Sequence, residues 1–242
     1  MSAPELSFAI PCYNEARSLR ALLAALTREA GALGLAYEIV VTDDASTDGS
    51  WELLRTLAAE YPGLRAQRLA QKSGESAASF AAIQAARGRI VVTMDADLQN
   101  DPRDLPKFLA AIRDADCVCG TRRASRARSD SWAKNLISRC SNAIRARVLG
   151  DPITDAGCTY RALRRACVAE IPFFRGVHRF LPILLHARGY RVVEVPVENQ
   201  PRQSGRSHYG VFDRFEAIVD MLAVRWMKSR MRGFRIAERV PD

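Results

Sequence analysis

No run of apolar residues in this 242-residue sequence approaches the roughly 18 that a membrane-spanning helix needs, so no transmembrane segment is expected. The first residues, MSAPELSFAIP, lack the charged start and long apolar stretch of a secretory signal. Six cysteines, at 12, 117, 119, 140, 158 and 167, form no C-x-x-C pair. Buried free thiols in a reducing compartment are therefore expected rather than disulfides or zinc, and with them a cytoplasmic protein. No G-x-G-x-x-G follows the first apolar strand, which argues against a dinucleotide-dependent oxidoreductase. Helix-turn-helix, zinc-finger and RNA-binding signatures are missing as well, so the net charge of +9 does not by itself imply a nucleic-acid partner. Internal repeats, low-complexity tracts and interdomain linkers are also lacking.

The charge is unevenly spread. Residues 1–120 hold 12 basic and 16 acidic side chains, and residues 121–242 hold 24 basic and 11 acidic. Such polarity suits a site with a cation-binding acidic half and an anion-binding basic half, against the alternative of a generally basic solvated surface. Through the first half, β-branched runs alternate with helical spacing. Strands are expected at Leu6–Ile10, Tyr37–Thr42, Leu64–Leu69, Arg89–Met94 and Cys117–Thr121. Between them lie helices over Leu19, Leu22, Leu23 and Leu26, over Ser50–Tyr61, over Glu75–Ala86 and over Pro102–Asp114. This rhythm predicts βαβ units and a mainly parallel sheet flanked by helices. Further on come a polar, basic loop over 122–135, a helix over Lys134–Leu149, a strand over Val192–Val197, a loop over Asn199–Gly210 and a helix over Val211–Met231.

Ligands of such sheets bind beyond the carboxyl ends of the strands, and three of those ends carry acids. The first runs into Pro11-Cys12-Tyr13-Asn14-Glu15, the second into Asp43-Asp44-Ala45-Ser46-Thr47-Asp48-Gly49-Ser50, and the fourth into Asp95-Ala96-Asp97-Leu98-Gln99. Asp48 or Ser50 can cap a helix, and Asp43 and Asp44 can be turn residues. Adjacent carboxylates repel unless a positive group offsets them, and a divalent cation with oxygen ligands does so simply. Alternate residues at a strand end point to one face, so Asp95 and Asp97 can reach one Mg2+ or Mn2+, which would bridge to a diphosphate.

These segments, with Met94-Asp95-Ala96-Asp97-Leu98-Gln99-Asn100-Asp101-Pro102, resemble the motifs of family 2 inverting glycosyltransferases, closest to the polyprenyl-phosphate (dolichyl-phosphate mannose synthase-like) branch. Gly120-Thr121-Arg122, Asp155-x-Gly157-Cys158, Arg179-Phe180-Leu181-Pro182 and Gly205-Arg206-Ser207-His208-Tyr209-Gly210 extend the resemblance to about residue 210. It implies a GT-A-type α/β catalytic domain over 1–210, with an amphipathic helix and basic tail over 211–242 that is part of the same domain or faces a membrane. Pro11, Tyr13, Glu15, Asp43 and Asp44 would line the nucleotide pocket. Asp95 would face the donor, and Asp97 and Gln99, with Asp95, would hold the cation. Arg122 would meet the acceptor phosphate, joined by Lys134, Ser138, Arg179, Arg202 and Arg206; for each Arg a solvated surface charge is the alternative. Two departures stand out: His208 replaces the lysine of the family's Ser-Lys-Tyr motif, and the C-terminal transmembrane helices of many members have no counterpart in this sequence.

The resemblance implies transfer of a sugar from a UDP- or GDP-sugar to a polyprenyl phosphate at the cytoplasmic membrane face. The alternative acceptor is a hydroxyl of a glycan or lipid. An anionic phosphate needs positioning rather than a base, whereas a hydroxyl would need one, for which Asp155 is the candidate. The alternative for Asp155 is a turn residue or one that orders an arginine. At the C-terminus, Phe212, Phe215, Val219, Leu222 and Trp226 share one helical face, expected to pack on the core. Arg225, Lys228, Arg230, Arg232 and Arg235 follow with no acid among them, suited to an anionic membrane surface. Self-association is left open.

Overall fold

The computed structural model describes residues 4–125, 142–168, 171–200 and 211–230, with side chains of the last stretch described from 218 onward. Seven strands form one sheet in the order β3-β2-β1-β4-β6-β5-β7. They are β1 (Leu6–Cys12), β2 (Tyr37–Asp43), β3 (Leu64–Arg68), β4 (Ile90–Thr93), β5 (Cys117–Thr121), β6 (Arg161–Arg164) and β7 (Val192–Pro196). All neighbours pair in parallel except β6, which runs antiparallel between β4 and β5. The mainly parallel α/β architecture expected from the sequence is the observed one.

Strand alternation divides the core between the two faces of the sheet. Phe8, Ile10, Ile39, Val41, Val92 and Val118 pack with Leu19, Leu22, Leu23 and Leu26 of α1 (Ala16–Ala32), Leu54 and Leu57 of α2 (Ser50–Glu60), and Leu105 and Phe108 of α4 (Leu105–Ala111). Ala9, Val40, Val91, Cys117 and Cys119 pack the other way, against Ala82 and Ile83 of α3 (Glu75–Ala85). On that side they also meet Cys167 of the short α5 (Arg165–Val168), Leu181, Ile183 and Leu184 of α6 (Val177–Ala187), and Val224 of α7 (Val211–Arg230). Helices thus cover both faces, as parallel strands require. The cysteines at 12, 117, 119, 158 and 167 are free and buried, as expected; Cys140 lies outside the described residues.

Several differences from the sequence reading have local causes. β6 escapes notice because Arg161-Ala-Leu-Arg interrupts its apolar pattern with two cations, both of which find partners in the fold. The 102–114 helix begins with a 3-10 turn at Pro102–Asp104, capped where Asp101 accepts from Arg103 N, and α4 ends at Ala111. Of the helix expected over 134–149, residues 142–149 are described and helical.

The C-terminal helix overturns an expectation. Val219, Leu222 and Trp226 face outward, 56–65% exposed, together with Ile218 at 52%. Val224, at 1%, is the residue that docks, with Met221 and Met227 packed beside it. The repeat that looks like a core face therefore belongs to the outer side, and the side chains of Phe212 and Phe215 lie outside the description. No helix among the described residues is long and apolar enough to cross a membrane.

Candidate active site

Because β1 pairs in parallel with both β2 and β4, the three acid-bearing strand ends lie side by side. The loops beyond β1 and β2 are tied together. Asn14, in the left-handed region at φ 57, donates its N–H to Ser46 Oγ and accepts from Thr47 N through Oδ1. Ala16 N donates to Asp48 Oδ2, and Glu15 N to Ser50 Oγ. Asp48 also accepts from Ser50 N, so its carboxylate serves the start of α2 from just outside the helix, where Gly49 is the cap residue.

Asp43 and Asp44, adjacent in sequence, have separate duties. Asp43 is fully buried; its Oδ2 takes Arg68 Nε at 3.1 Å and Ser46 N at 3.2 Å, while Oδ1 is buried with no hydrogen-bond partner among the described residues. An orphaned buried acceptor is costly unless a ligand meets it. Asp44 is committed to the fold: its two oxygens accept from Ser73 N at 2.6 Å and Gly74 N at 2.8 Å. Gly74, at φ 92, makes the turn that starts α3. Tyr13 holds the Lys72 ammonium 4.0 Å from its ring centroid. Glu15 Oε2 accepts from Ser18 Oγ at the start of α1, and Pro11 lies in register with Thr42.

Beyond β4 the chain turns sharply. Leu98 adopts φ 63, an uncommon conformation for a β-carbon-bearing residue, and Gln99 N donates to Asp97 Oδ1 at 3.0 Å. Gln99 O accepts from Gln200 N, which binds this loop to the end of the described 171–200 stretch. Asp95 Oδ2 accepts from Thr159 Oγ at 2.7 Å, a contact made possible by the antiparallel β6 beside β4. Burial first, and the charge of Asp97 second, push the Asp95 carboxyl above its ordinary range. A buried carboxyl with a second carboxylate beside it is a donor set that a hard divalent cation relieves. Among the described residues no group of three or more His, Cys, Asp or Glu is arranged to hold an ion alone. The pair fits a cation whose other ligands are phosphate oxygens and water.

Arg122 and Asp155 form one buried unit. Asp155 accepts from Arg122 N at 3.0 Å, Nε at 2.9 Å and Nη2 at 3.1 Å. Gly157 makes room, since a β-carbon there would stand 3.3 Å from Arg122 Nη2. Glu194 of β7 fixes the loop by accepting from Thr154 N and Asp155 N. Both oxygens of Asp155 are engaged by a cation, which ill suits it to take a proton from a hydroxyl.

A neighbouring cluster is absent from the sequence reading. Glu75, the first residue of α3, has its carboxyl pushed up to about 7 by burial and then by Asp95, against Arg179 and Arg161, with Asp97 adding a smaller push. His178 Nε2 stands 3.5 Å from Glu75 Oε1, and His178 Nδ1 is 2.7 Å from Ser76 Oγ. Burial, then Arg179 and Arg161, hold His178 neutral by lowering it to about 3. Pro182 within α6 has no N–H to give to the carbonyl four residues back, and Arg161 Nη1 donates to that His178 carbonyl instead. Glu75 has no motif signal, because a helix-initial glutamate is ordinary. Arg161 could have been noticed as a cation inside an apolar strand. Lys134, Ser138, Arg202, Arg206 and His208 lie outside the described residues; Arg179 is half-buried in this cluster.

The family model for glycosyl transferase family 2 matches residues 7–171. The chain is 36% identical over 219 residues to the undecaprenyl-phosphate 4-deoxy-4-formamido-L-arabinose transferase of Edwardsiella ictaluri, covering 90% of this chain and 66% of that protein. It is 31% identical over 226 residues to the dodecaprenyl-phosphate galacturonate synthase of Rhizobium johnstonii, covering 91% and 66%. The chain thus spans about two thirds of the length of these curated relatives. Among solved structures it is similar to a mannosyltransferase from Pyrobaculum calidifontis in complex with GDP-Man and Mn2+, with TM-score 0.66, 21% identity and coverage of 97% and 66%. It is also similar to glucosyl-3-phosphoglycerate synthase from Mycobacterium tuberculosis in complex with Mn2+, UDP and glucosyl-3-phosphoglycerate, with TM-score 0.64, 18% identity and coverage of 95% and 81%.

Proposed function

The chain belongs to glycosyl transferase family 2, and from that premise we propose that it moves a sugar from a UDP- or GDP-sugar to a polyprenyl phosphate, with inversion at the anomeric carbon. The observation that carries this reading is the Asp95–Asp97 pair at the end of β4, with Arg161 in the neighbouring β6 and the buried Arg122–Asp155 pair just after β5. It offers oxygen donors for a cation on one side and guanidinium charge on the other. The curated relatives named for undecaprenyl and dodecaprenyl phosphate support the acceptor class.

In this reading Asp43 Oδ1 accepts the ring N–H that uracil and guanine both present, and Tyr13, Pro11 and Glu15 line the same pocket. Asp97 and Asp95, with Gln99, hold Mg2+ or Mn2+, which supplies positive charge against the diphosphate as it leaves. The neighbours solved with Mn2+ and a nucleotide support that assignment. Arg122, fixed by Asp155 just after β5, orients the acceptor phosphate, whose oxygen attacks as an anion without a base. The engagement of Asp155 with Arg122 favours this acceptor over a hydroxyl. Arg179, Lys134, Ser138, Arg202 and Arg206 are the further phosphate contacts of the reading. The acceptor is a lipid, so the enzyme works at a membrane surface, held peripherally by the outer face of α7 and its basic end.

Incubation with a panel of UDP- and GDP-sugars, undecaprenyl phosphate and Mn2+, followed by analysis of the lipid fraction, tests the proposal. A glycosyl phospholipid that disappears in excess chelator is the expected product. Sugar found only on hydroxyl acceptors, or full turnover in chelator, would overturn the acceptor or the metal assignment respectively.

A further inference from the structure

Residues 197–200, which follow β7, brace the loop beyond β4 against the end of β5. At one end Val197 N donates to Thr121 O at 3.1 Å, one residue before Arg122. Val197 is buried there, and Gly120 admits it: a β-carbon at 120 would stand 3.1 Å from both Val197 methyl groups. At the other end Gln200 N donates to Gln99 O at 2.9 Å, and Asn199 bridges antiparallel to Asn100. The brace therefore joins backbone next to Arg122 to the backbone of Gln99 itself. Its middle is held by Asp104. That residue occupies the N-cap position of α4, yet its side chain makes no cap hydrogen bond. Its Oδ2 accepts from Glu198 N at 2.9 Å, and its Oδ1 takes the Lys107 ammonium at 2.5 Å. Lys107 Nζ in turn donates to Pro196 O at 3.2 Å. Asp104 is buried, so its carboxylate serves the brace rather than the helix or the solvent.

The loop needs such support. Leu98, between Asp97 and Gln99, has φ 63, a conformation that a leucine keeps only where its surroundings fix it. Ligands of a cation also work only when they are oriented from behind, and losing an orienting partner commonly costs about 10–100-fold in metal affinity or activity. We propose that Asp104 is a positioning residue for the transfer. By pinning the brace at Glu198, it holds Asp97 and Gln99 in place for the cation and fixes their spacing from Arg122. The inference rests on the reading of Asp95, Asp97 and Gln99 as cation ligands, and adds the residue that keeps them in register with the acceptor side.

The test compares wild type with Asp104→Ala, Asp104→Asn, Gln200→Pro and the double variant Asp104→Ala, Gln200→Pro, all in the full chain. Asp104→Ala releases Glu198 N, which water can reach because Glu198 is exposed. Gln200→Pro removes the N–H given to Gln99 O at the far end of the brace. Mn2+ binding is followed by electron paramagnetic resonance in saturating UDP or GDP, with denaturant midpoints measured alongside. Each of Asp104→Ala and Gln200→Pro is expected to raise the Mn2+ Kd about tenfold. Asp104→Asn keeps an acceptor for Glu198 N and loses only the half-exposed Lys107 pair, so it should stay within about threefold of wild type. Because both changes act through one brace, the double variant should bind Mn2+ little more weakly than the weaker single, not about a hundredfold more weakly than wild type. At saturating Mn2+, donor and undecaprenyl phosphate, kcat should still fall in Asp104→Ala, since filling the cation site does not restore its spacing from Arg122. A merely structural Asp104 would lower the midpoint and leave Mn2+ affinity of the folded protein unchanged. The two single changes act at different ends of the brace, so either decides the matter if the other prevents folding. Unchanged Mn2+ affinity, additive losses in the double variant, or an Asp104→Asn as weak as Asp104→Ala overturns the proposal and leaves glycosyl transfer standing. Failure of wild type to bind Mn2+ with either nucleoside diphosphate overturns the cation assignment and this inference together.

Discussion

Glu75 holds a carboxyl that the fold makes harder to ionise, with a value near 7 against an ordinary 4.5. Between those values the folded chain keeps a proton that the unfolded chain has released, so stability falls as pH rises through the window. Glu75→Gln removes the penalty. In metal-free buffer at pH 8 the variant is expected to be more stable than wild type by about 1 kcal/mol, less than the full shift implies because solvent screens a side chain with 39% exposure. The two should converge by pH 4.5, and urea unfolding at both pH values measures the difference. Arg122 and Asp155 behave oppositely, since each is buried against the other. Arg122→Ala leaves an unpaired carboxylate and is expected to cost about 3–5 kcal/mol, part of which Asp155→Asn in the same chain restores. Denaturant midpoints of the single and double variants decide this. Asp97→Asn should keep its fold and lose turnover more than donor binding, because the cation's largest contribution comes as the diphosphate leaves. Equal losses in calorimetric binding and in rate would count against that division.

At the scale of elements, Asp43 at the end of β2 and Asp44 just after it, both expected from the sequence to line the nucleotide pocket, make different contacts within the fold. Asp44 anchors the start of α3 through two backbone amides, and Asp43 keeps one oxygen unpartnered. Asp44→Ala is therefore expected to lower stability by about 2 kcal/mol. Asp43→Asn should lower nucleotide affinity by about tenfold with a smaller change in stability, and chemical denaturation alongside calorimetry separates the two effects. The parallel strands were legible because continuous apolar runs such as Phe8-Ala-Ile and Ile39-Val-Val end in polar, turn-forming segments. β6 and the Glu75–His178 cluster were not. Their residues meet across 102 positions of sequence, from Ser76 to His178, and no local pattern encodes such a pairing. The helix α7 was legible as a helix but misread as to its buried side. Val219, Leu222 and Trp226 repeat at helical spacing, yet the single Val224 and the two flanking methionines make the contact with the core.

For the whole molecule, that inversion leaves an apolar ridge of Ile218, Val219, Leu222 and Trp226 on the outside of α7. Arg225, Lys228 and Arg230 sit at its end, and the sequence continues with Arg232 and Arg235 before the next acid. Apolar side chains able to enter a bilayer interface, next to cations that anionic headgroups attract by about 1 kcal/mol each, suit reversible attachment of an enzyme whose proposed acceptor is a lipid. Because the ridge residues are exposed, replacing them should leave the fold intact, unlike a change at Val224. The triple variant Val219→Ser, Leu222→Ser, Trp226→Ser is expected to unfold at the same denaturant concentration as wild type. On phosphatidylglycerol vesicles at low salt it should partition about tenfold less, roughly what the apolar area removed is worth even if only part of it enters the interface. Raising the ionic strength should release wild type by weakening the basic contribution, and neutral phosphatidylcholine vesicles should retain little of either protein. Equal co-sedimentation of the two proteins on the anionic vesicles would show that the ridge is not the attachment face and would leave the basic residues as the whole of any attraction.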